Sequence, residues 1–267
     1  MREWLNLGVR WFHVFAGILW VGQTYYFTWL DGQFRKAEKN EANGKSSTVW
    51  MVHSGGFYSV EKQKTLGVAP EMLRWFRWEA MTTWLSGMVL LFLVYYLSSG
   101  LIDPDVAEIS QRRAVAAGVA VLIGGWVIYD MAVRSFPGKS ETLFGTLAML
   151  MTAAVSWGLL HLFSARAAYL HVGALFGTIM TLNVWMRILP AQRKMIAAAS
   201  AGEEIDAKLS AQAKLRSKHN TFMAVPVVFL MISNHFPVAT YGNRYSWEIL
   251  VAVIVAGWAA AKVIRSA

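Results

Sequence analysis

The chain has six histidines and no cysteine among its 267 residues. Without thiolates it forms no internal disulfide, thiolate metal site, iron–sulfur cluster or covalently attached c-type haem. Imidazole is therefore its main metal-binding chemistry. The histidines fall into two groups when they are sorted by depth in the long apolar blocks described below. His13 lies about 12 Å and His171 about 6 Å inside the outer ends of their helices, at about 1.5 Å per residue. His161 and His235 close two further apolar blocks on the same side. Paired imidazoles on facing helices suit the axial positions of a b-type haem. Gly17, Gly173 and Gly177 would let a flat macrocycle approach the backbone. The spacing points to haem b held by His13 and His171, with His161 and His235 as alternates. Hydrogen bonding between helices is the competing reading of the same histidines. Copper lacks the Met or Cys motif that would accompany it.

His53 and His219 belong to the other side, together with a polar and aromatic set. Residues 50–87 are polar, aromatic and glycine-punctuated in an otherwise apolar chain, and they carry His53, Phe57, Tyr58, Glu61, Arg77, Trp78 and Glu79. Lys218-His219-Asn220 enters a later apolar block. If the two sets converge, they form an aromatic, cationic pocket for a flat anionic heterocycle. Arg77 or Lys218 would hold the charge, Trp78, Phe57 or Tyr58 would stack, and Asn220 would read an amide edge. Glu79, His53 or His219 would move a proton. Glu79 ranks first, because a carboxylate just inside an apolar helix is costly unless paired or used. Taken singly, each residue also has a structural reading: Arg77 and Lys218 snorkel, Trp78 anchors, Asn220 caps a helix. Asp130 and Arg134, four apart, are expected to pair on one helix face.

The elements that must position these residues follow from hydropathy. The chain is 56% hydrophobic, in long blocks, which predicts an all-α, polytopic membrane bundle. Seven spans are predicted, at 5–30, 72–97, 113–133, 142–163, 167–189, 221–235 and 247–264. The sixth falls short of the about 20 residues a crossing needs, and Pro226 is expected to kink it. The first block is too long for a cleavable signal peptide and lacks a small-residue cleavage site. After the first span, 49–53 and 57–61 are β-branched and aromatic runs around Ser54-Gly55-Gly56. They predict a short β-hairpin in the first cytoplasmic loop, with positive φ on the glycines. Pro70 suits the first turn of the helix carrying Trp75 to Trp84. Segment 190–220 reads as an amphipathic helix. Lys and Arg crowd the loops on the hairpin side, which marks that side as cytoplasmic and places the N-terminus outside and the C-terminus inside. The net charge of +9 thus sits between spans, which argues against nucleic acid as a partner. Trp11-Phe12-His13-Val14 and Tyr169-Leu170-His171-Val172 form a faint repeat at the starts of the first and fifth spans.

The run WMVHSGGFYSVEK, followed by LRWFRWEAMTTWLSG and later SNHFP, resembles the membrane domain of the bacterial integral-membrane urate oxidases (urate hydroxylases). The resemblance extends from the opening WFHVFAGILWVG to the last span. Members of that family typically continue through a further span into a C-terminal cytochrome c domain. This chain ends shortly after Arg265 and has no Cys-x-x-Cys-His. The resemblance implies one membrane domain over 1–267 in the bacterial inner membrane. It also implies oxidation of urate to 5-hydroxyisourate, with electrons passed to a cytochrome c domain or a separate cytochrome c; if the electrons leave that way, electron balance points to water as the source of the added oxygen. The haem b expectation comes from histidine placement, not from the resemblance. Two other classes fit the same residues. One is a haem b-binding electron-transfer or porphyrin-oxidising membrane protein. The other is a transporter of a small anionic heterocycle clamped by Arg77 and Lys218.

Overall fold

The computed structural model describes residues 2–41, 48–62, 73–135 and 141–266. It is all-helical apart from one hairpin, in the order α1 (Arg2–Glu41), β1 (Val49–His53), β2 (Gly56–Val60), α2 (Trp78–Leu91), α3 (Gln111–Ser135), α4 (Glu141–Leu160), α5 (Ala165–Asn183), α6 (Leu189–Ser200), α7 (Ala207–Ile232) and α8 (Ser246–Ser266). Two π-helical turns interrupt regular helix, at Phe92–Tyr96 after α2 and at Val184–Ile188 between α5 and α6.

Six helices among the described residues are long and apolar enough to cross a membrane. The predicted span at 221–235 is not among them. Its residues form the second half of α7 and a 3-10 turn, Ser233–His235. That apolar stretch is shorter than the about 20 residues a crossing needs. α7 continues as one helix through Pro226, which packs against Gly257 of α8. A Cβ on Gly257 would lie 2.8 Å from the proline ring, so glycine is what permits this approach.

α5 is the central post. In the most apolar 18-residue stretch of its candidate span 67% of the residues are buried, against 11–22% in the corresponding stretches of the other candidate spans. It packs on α2, α3, α4 and α7, while α1 leans mainly on α2. The outer helices turn Ile18, Ile123, Leu150 and Val263 outward, all more than half exposed. Apolar side chains on both faces are compatible with a hydrocarbon surround.

The hairpin forms where the β-branched and aromatic residues predict it, with Val49 opposite Val60 and His53 opposite Gly56. The positive φ falls on Ser54 (49°) and Gly55 (77°) rather than on the two glycines, and Gly56 already belongs to β2. A two-residue turn with positive φ at both positions matches the right-handed twist of the strands. Val49 is buried against Leu30 and Phe34, with Met51 and Val60 beside them. α1 thus runs well past its apolar block and carries the hairpin on its extension. α2 starts later than predicted: 73–77 are not helical, Trp78 is the first helical residue, and Pro70 lies outside the described residues. Segment 190–220 forms α6 and the first half of α7, separated by a turn, rather than one amphipathic helix.

Candidate functional site

The start of α2 holds three of the residues singled out by sequence. Arg77 precedes the first helical turn, and its carbonyl oxygen accepts from the Trp185 indole N–H at 3.2 Å. Its guanidinium carbon lies 5.5 Å from the Trp78 ring and 6.0 Å from the Trp185 ring. The two indoles meet edge to face at 5.5 Å. Glu79 follows in the first turn, with Oε1 3.4 Å from the Arg74 guanidinium. Arg77 Nε and Glu79 Oε2 are buried and have no hydrogen-bond partner among the described residues. Such orphaned polar atoms are uncommon in folded proteins and call for a reason. Beside them a cleft of about 220 Å³ runs between α1 and α2, lined by Phe15, Leu19, Trp78, Glu79 and Thr82 among others.

A second polar cluster lies where α3, α5 and α7 meet at the same end. Asp130 Oδ1 accepts from Arg187 Nε at 2.8 Å and from Arg216 Nη2 at 2.7 Å. Asp130 Oδ2 accepts from Arg187 Nη2 at 2.5 Å and from Arg134 Nη2 at 2.9 Å. The predicted Asp130–Arg134 pair is thus part of a larger group of three guanidiniums on one carboxylate. Arg216 also donates to Asn183 Oδ1, and Asn183 Nδ2 donates to Asn220 Oδ1 at 2.9 Å and to Tyr129 Oη at 3.0 Å. With Asn183 as donor, the Tyr129 hydroxyl gives its own proton to His219 Nδ1 at 2.8 Å. The His219 ring stacks on Phe144 at 5.0 Å. Asn220 is buried and donates to the Met180 carbonyl. Lys218 binds Glu141 at 2.6 Å, so it is engaged as a partner of that carboxylate.

The sequence-based pocket therefore divides into three parts. Arg77, Trp78 and Glu79 share the α2 start, and His219 and Asn220 share the α3–α5–α7 cluster. His53, Phe57 and Tyr58 are exposed on the hairpin. Among the described residues no bond or ring contact joins these three to either cluster. The hairpin packs on α1 instead, because Val49, Met51 and Val60 are its apolar face.

The four histidines proposed for haem also separate. The His13 ring sits against Gly87 of α2, and its Nδ1 donates to the Thr83 carbonyl at 2.9 Å. His171 is fully buried. Its Nδ1 donates to the Ala167 carbonyl at 2.7 Å, which leaves Nε2 to accept from the Tyr96 hydroxyl at 3.1 Å. A Cβ on Gly118 would lie 2.9 Å from His171 Nε2, so the α3 backbone closes that side. His171 as packed has both nitrogens engaged and no open face, and the His13–His171 pair does not fit the axial positions of one haem. His161 is exposed, with its ring against Trp157 at 4.1 Å, and His235 is exposed in the 3-10 turn. Among the described residues no three His, Asp or Glu side chains are placed to hold a metal ion.

Sequence reasoning missed Trp185, Arg187, Arg216, Asn183 and Tyr129. Asn183 and Arg187 did carry a signal, since both are polar positions inside a predicted span. The fold and clusters together define an all-helical bundle of long apolar helices, with cationic and aromatic side chains gathered at its hairpin end. The chain belongs to the urate oxidase N-terminal family, whose family model matches residues 1–266. No curated protein and no solved structure matches it.

Proposed function

We propose that this chain is the membrane domain of a urate oxidase, and that urate binds at the hairpin end, at the start of α2. Family membership supplies the substrate class. The observation that carries the site is the pair of buried, partnerless polar atoms, Arg77 Nε and Glu79 Oε2, beside two indole rings. Urate near neutral pH is a flat monoanion. Arg77 supplies the countercharge, and Trp78 and Trp185 supply stacking faces. Glu79 Oε2 is the free acceptor for the proton that leaves during oxidation. Urate monoanion and one water give 5-hydroxyisourate, one proton and two electrons. The electrons go to a one-electron carrier of the cytochrome c class, in the same protein or a separate one. The excess of Lys and Arg in hairpin-side loops makes that end cytoplasmic and places the N-terminus outside the bacterial inner membrane. Haem b stays outside the proposal, because His171 has no free face for an iron. The transporter reading loses one of its two clamp residues, since Lys218 is bound to Glu141.

Glu79→Gln tests the site, because it keeps shape and removes the base. Urate-dependent reduction of added cytochrome c by the protein in membranes should fall by about 10²-fold or more in kcat. Turnover equal to the unsubstituted protein would move the site away from α2.

A further inference from the structure

We infer that Arg134 and Arg187 form a site for the phosphate group of an anionic phospholipid. Three guanidiniums, from Arg134, Arg187 and Arg216, share the single carboxylate of Asp130. Among the described residues two positive charges there have no counterpart, and the nearby Glu141 is held by Lys218. Arg216 and Asp130 are buried, so solvent screens this surplus poorly. The surplus has an outlet. The Arg134 side chain is 59% exposed and that of Arg187 is 32% exposed. Arg134 uses only Nη2 on Asp130 among the described residues, which leaves its other N–H groups free to donate. Guanidinium forks match phosphate oxygens in charge and geometry.

The surface leading to this outlet identifies the source of the phosphate. Ile123, Val127 and Met131 are 61%, 43% and 61% exposed. They recur every four residues on α3, so they form one apolar stripe that ends at Arg134. Trp126 stands beside it, under the Arg187 guanidinium at 6.0 Å. An apolar stripe that terminates in unmatched guanidiniums fits an acyl chain running up to its headgroup, at the end where basic pockets meet the anionic leaflet. The lipid as source rests on the membrane reading above, whereas the phosphate chemistry rests on the charge surplus.

The test is thermal unfolding of the full chain, followed by tryptophan fluorescence, in phosphatidylcholine nanodiscs with and without phosphatidylglycerol. Phosphatidylglycerol should raise Tm in the unsubstituted protein, and Arg134→Gln should lose more than half of that rise. Arg193→Gln, an exposed cation at the same end on α6, should keep it. Equal shifts in the unsubstituted protein and Arg134→Gln, or no shift in either, would overturn the site. If inorganic phosphate added to phosphatidylcholine nanodiscs gives the same rise, the site takes a soluble phosphate and the lipid assignment falls. A chain that stays soluble and outside the discs sinks the membrane reading on which the lipid depends, while the phosphate titration still decides the anion chemistry.

Discussion

Among the described residues two tyrosine–histidine pairs are hydrogen-bonded, and their surroundings differ completely. Tyr96 and His171 meet at the end of the bundle away from the hairpin. Tyr129 and His219 meet at the hairpin end. Each lies near a π-helical turn: Tyr96 closes the one after α2, and the other follows Asn183, the partner of Tyr129. A π turn adds a residue to the helical register, which re-aims the side chains beside it. At the far pair no ionised group among the described residues bonds to either member. Phe163 packs on His171 at 4.8 Å, and the α3 backbone at Gly118 shuts the remaining side. At the hairpin-end pair, Arg216 lies 5.0 Å over the Tyr129 ring and links it to Asp130, Arg187 and Arg134. The same hydrogen bond is therefore a packing pin in one place and the edge of a charged network in the other. Residue type alone does not separate these roles; the charge nearby does.

The largest blow to this contrast falls on the charged side. Asp130→Ala leaves three guanidiniums facing one another, with Arg216 buried. Removing one partner from a buried ion pair typically costs about 3–5 kcal/mol. Denaturant unfolding in a fixed detergent should show a loss of that size. A loss under about 1 kcal/mol, the scale of an exposed pair, would show that the network is not what holds α3, α5 and α7 together.

Acid should reach the hairpin-end pair next. His219 lies on the polar first half of α7, before the apolar stretch that begins at Thr221. Burial first, then the charges of Arg216 and Lys218, push its pKa from 6.5 down to about 4, against a smaller opposing pull from Glu141. Between those two values the unfolded chain binds a proton that the folded one does not. The contribution is therefore fully present above pH 6.5 and is lost as pH falls toward 4. By pH 5 the loss is about 2 kcal/mol, at about 1.4 kcal/mol per unit. Unfolding free energies measured from pH 7.5 to 5 should show this slope, and His219→Gln should flatten it. An unchanged slope in that variant would mean that His219 is not the group being titrated.

Most of the architecture was legible because hydropathy alone sets it. Long apolar blocks became helices, and the β-branched runs around Ser54-Gly55 became the hairpin. The sixth predicted span was weaker, since the apolar half of α7 is short. The candidate site was legible only in part. Arg77, Trp78 and Glu79 are neighbours in sequence and stay neighbours in space. Trp185, the second stacking face at that site, comes from a helix about a hundred residues away. Its orientation depends on a π turn that no periodicity announces. Asp130 was paired with Arg134 because four residues separate them, whereas Arg187 and Arg216 reach it only through tertiary packing. The hairpin residues stay apart from both clusters for the opposite reason: the hairpin's apolar face is committed to α1, which leaves His53, Phe57 and Tyr58 exposed.

The smallest expected effect belongs to the far pair and sharpens the comparison most. Tyr96→Phe removes one hydroxyl and leaves His171 Nε2 buried without a donor, since Nδ1 is already committed to the Ala167 carbonyl. Gly118 admits no replacement side chain without movement, and no ionised group bonds to the pair to take up the slack. Leaving a buried neutral acceptor unpaired costs at least about 1 kcal/mol, within a range of about 1–3 kcal/mol, so the midpoint of unfolding should shift with its slope unchanged. Urate-dependent turnover should stay as it was, because the proposed substrate site lies at the start of α2, at the other end. Tyr129→Phe is the matched control: it strips His219 of its donor and Asn183 of an acceptor inside the charged network, and it should lower stability by more than Tyr96→Phe does. If Tyr96→Phe instead abolishes turnover while the protein remains folded, the far pair takes part in the chemistry, and the division between a packing pin and a charged network is wrong.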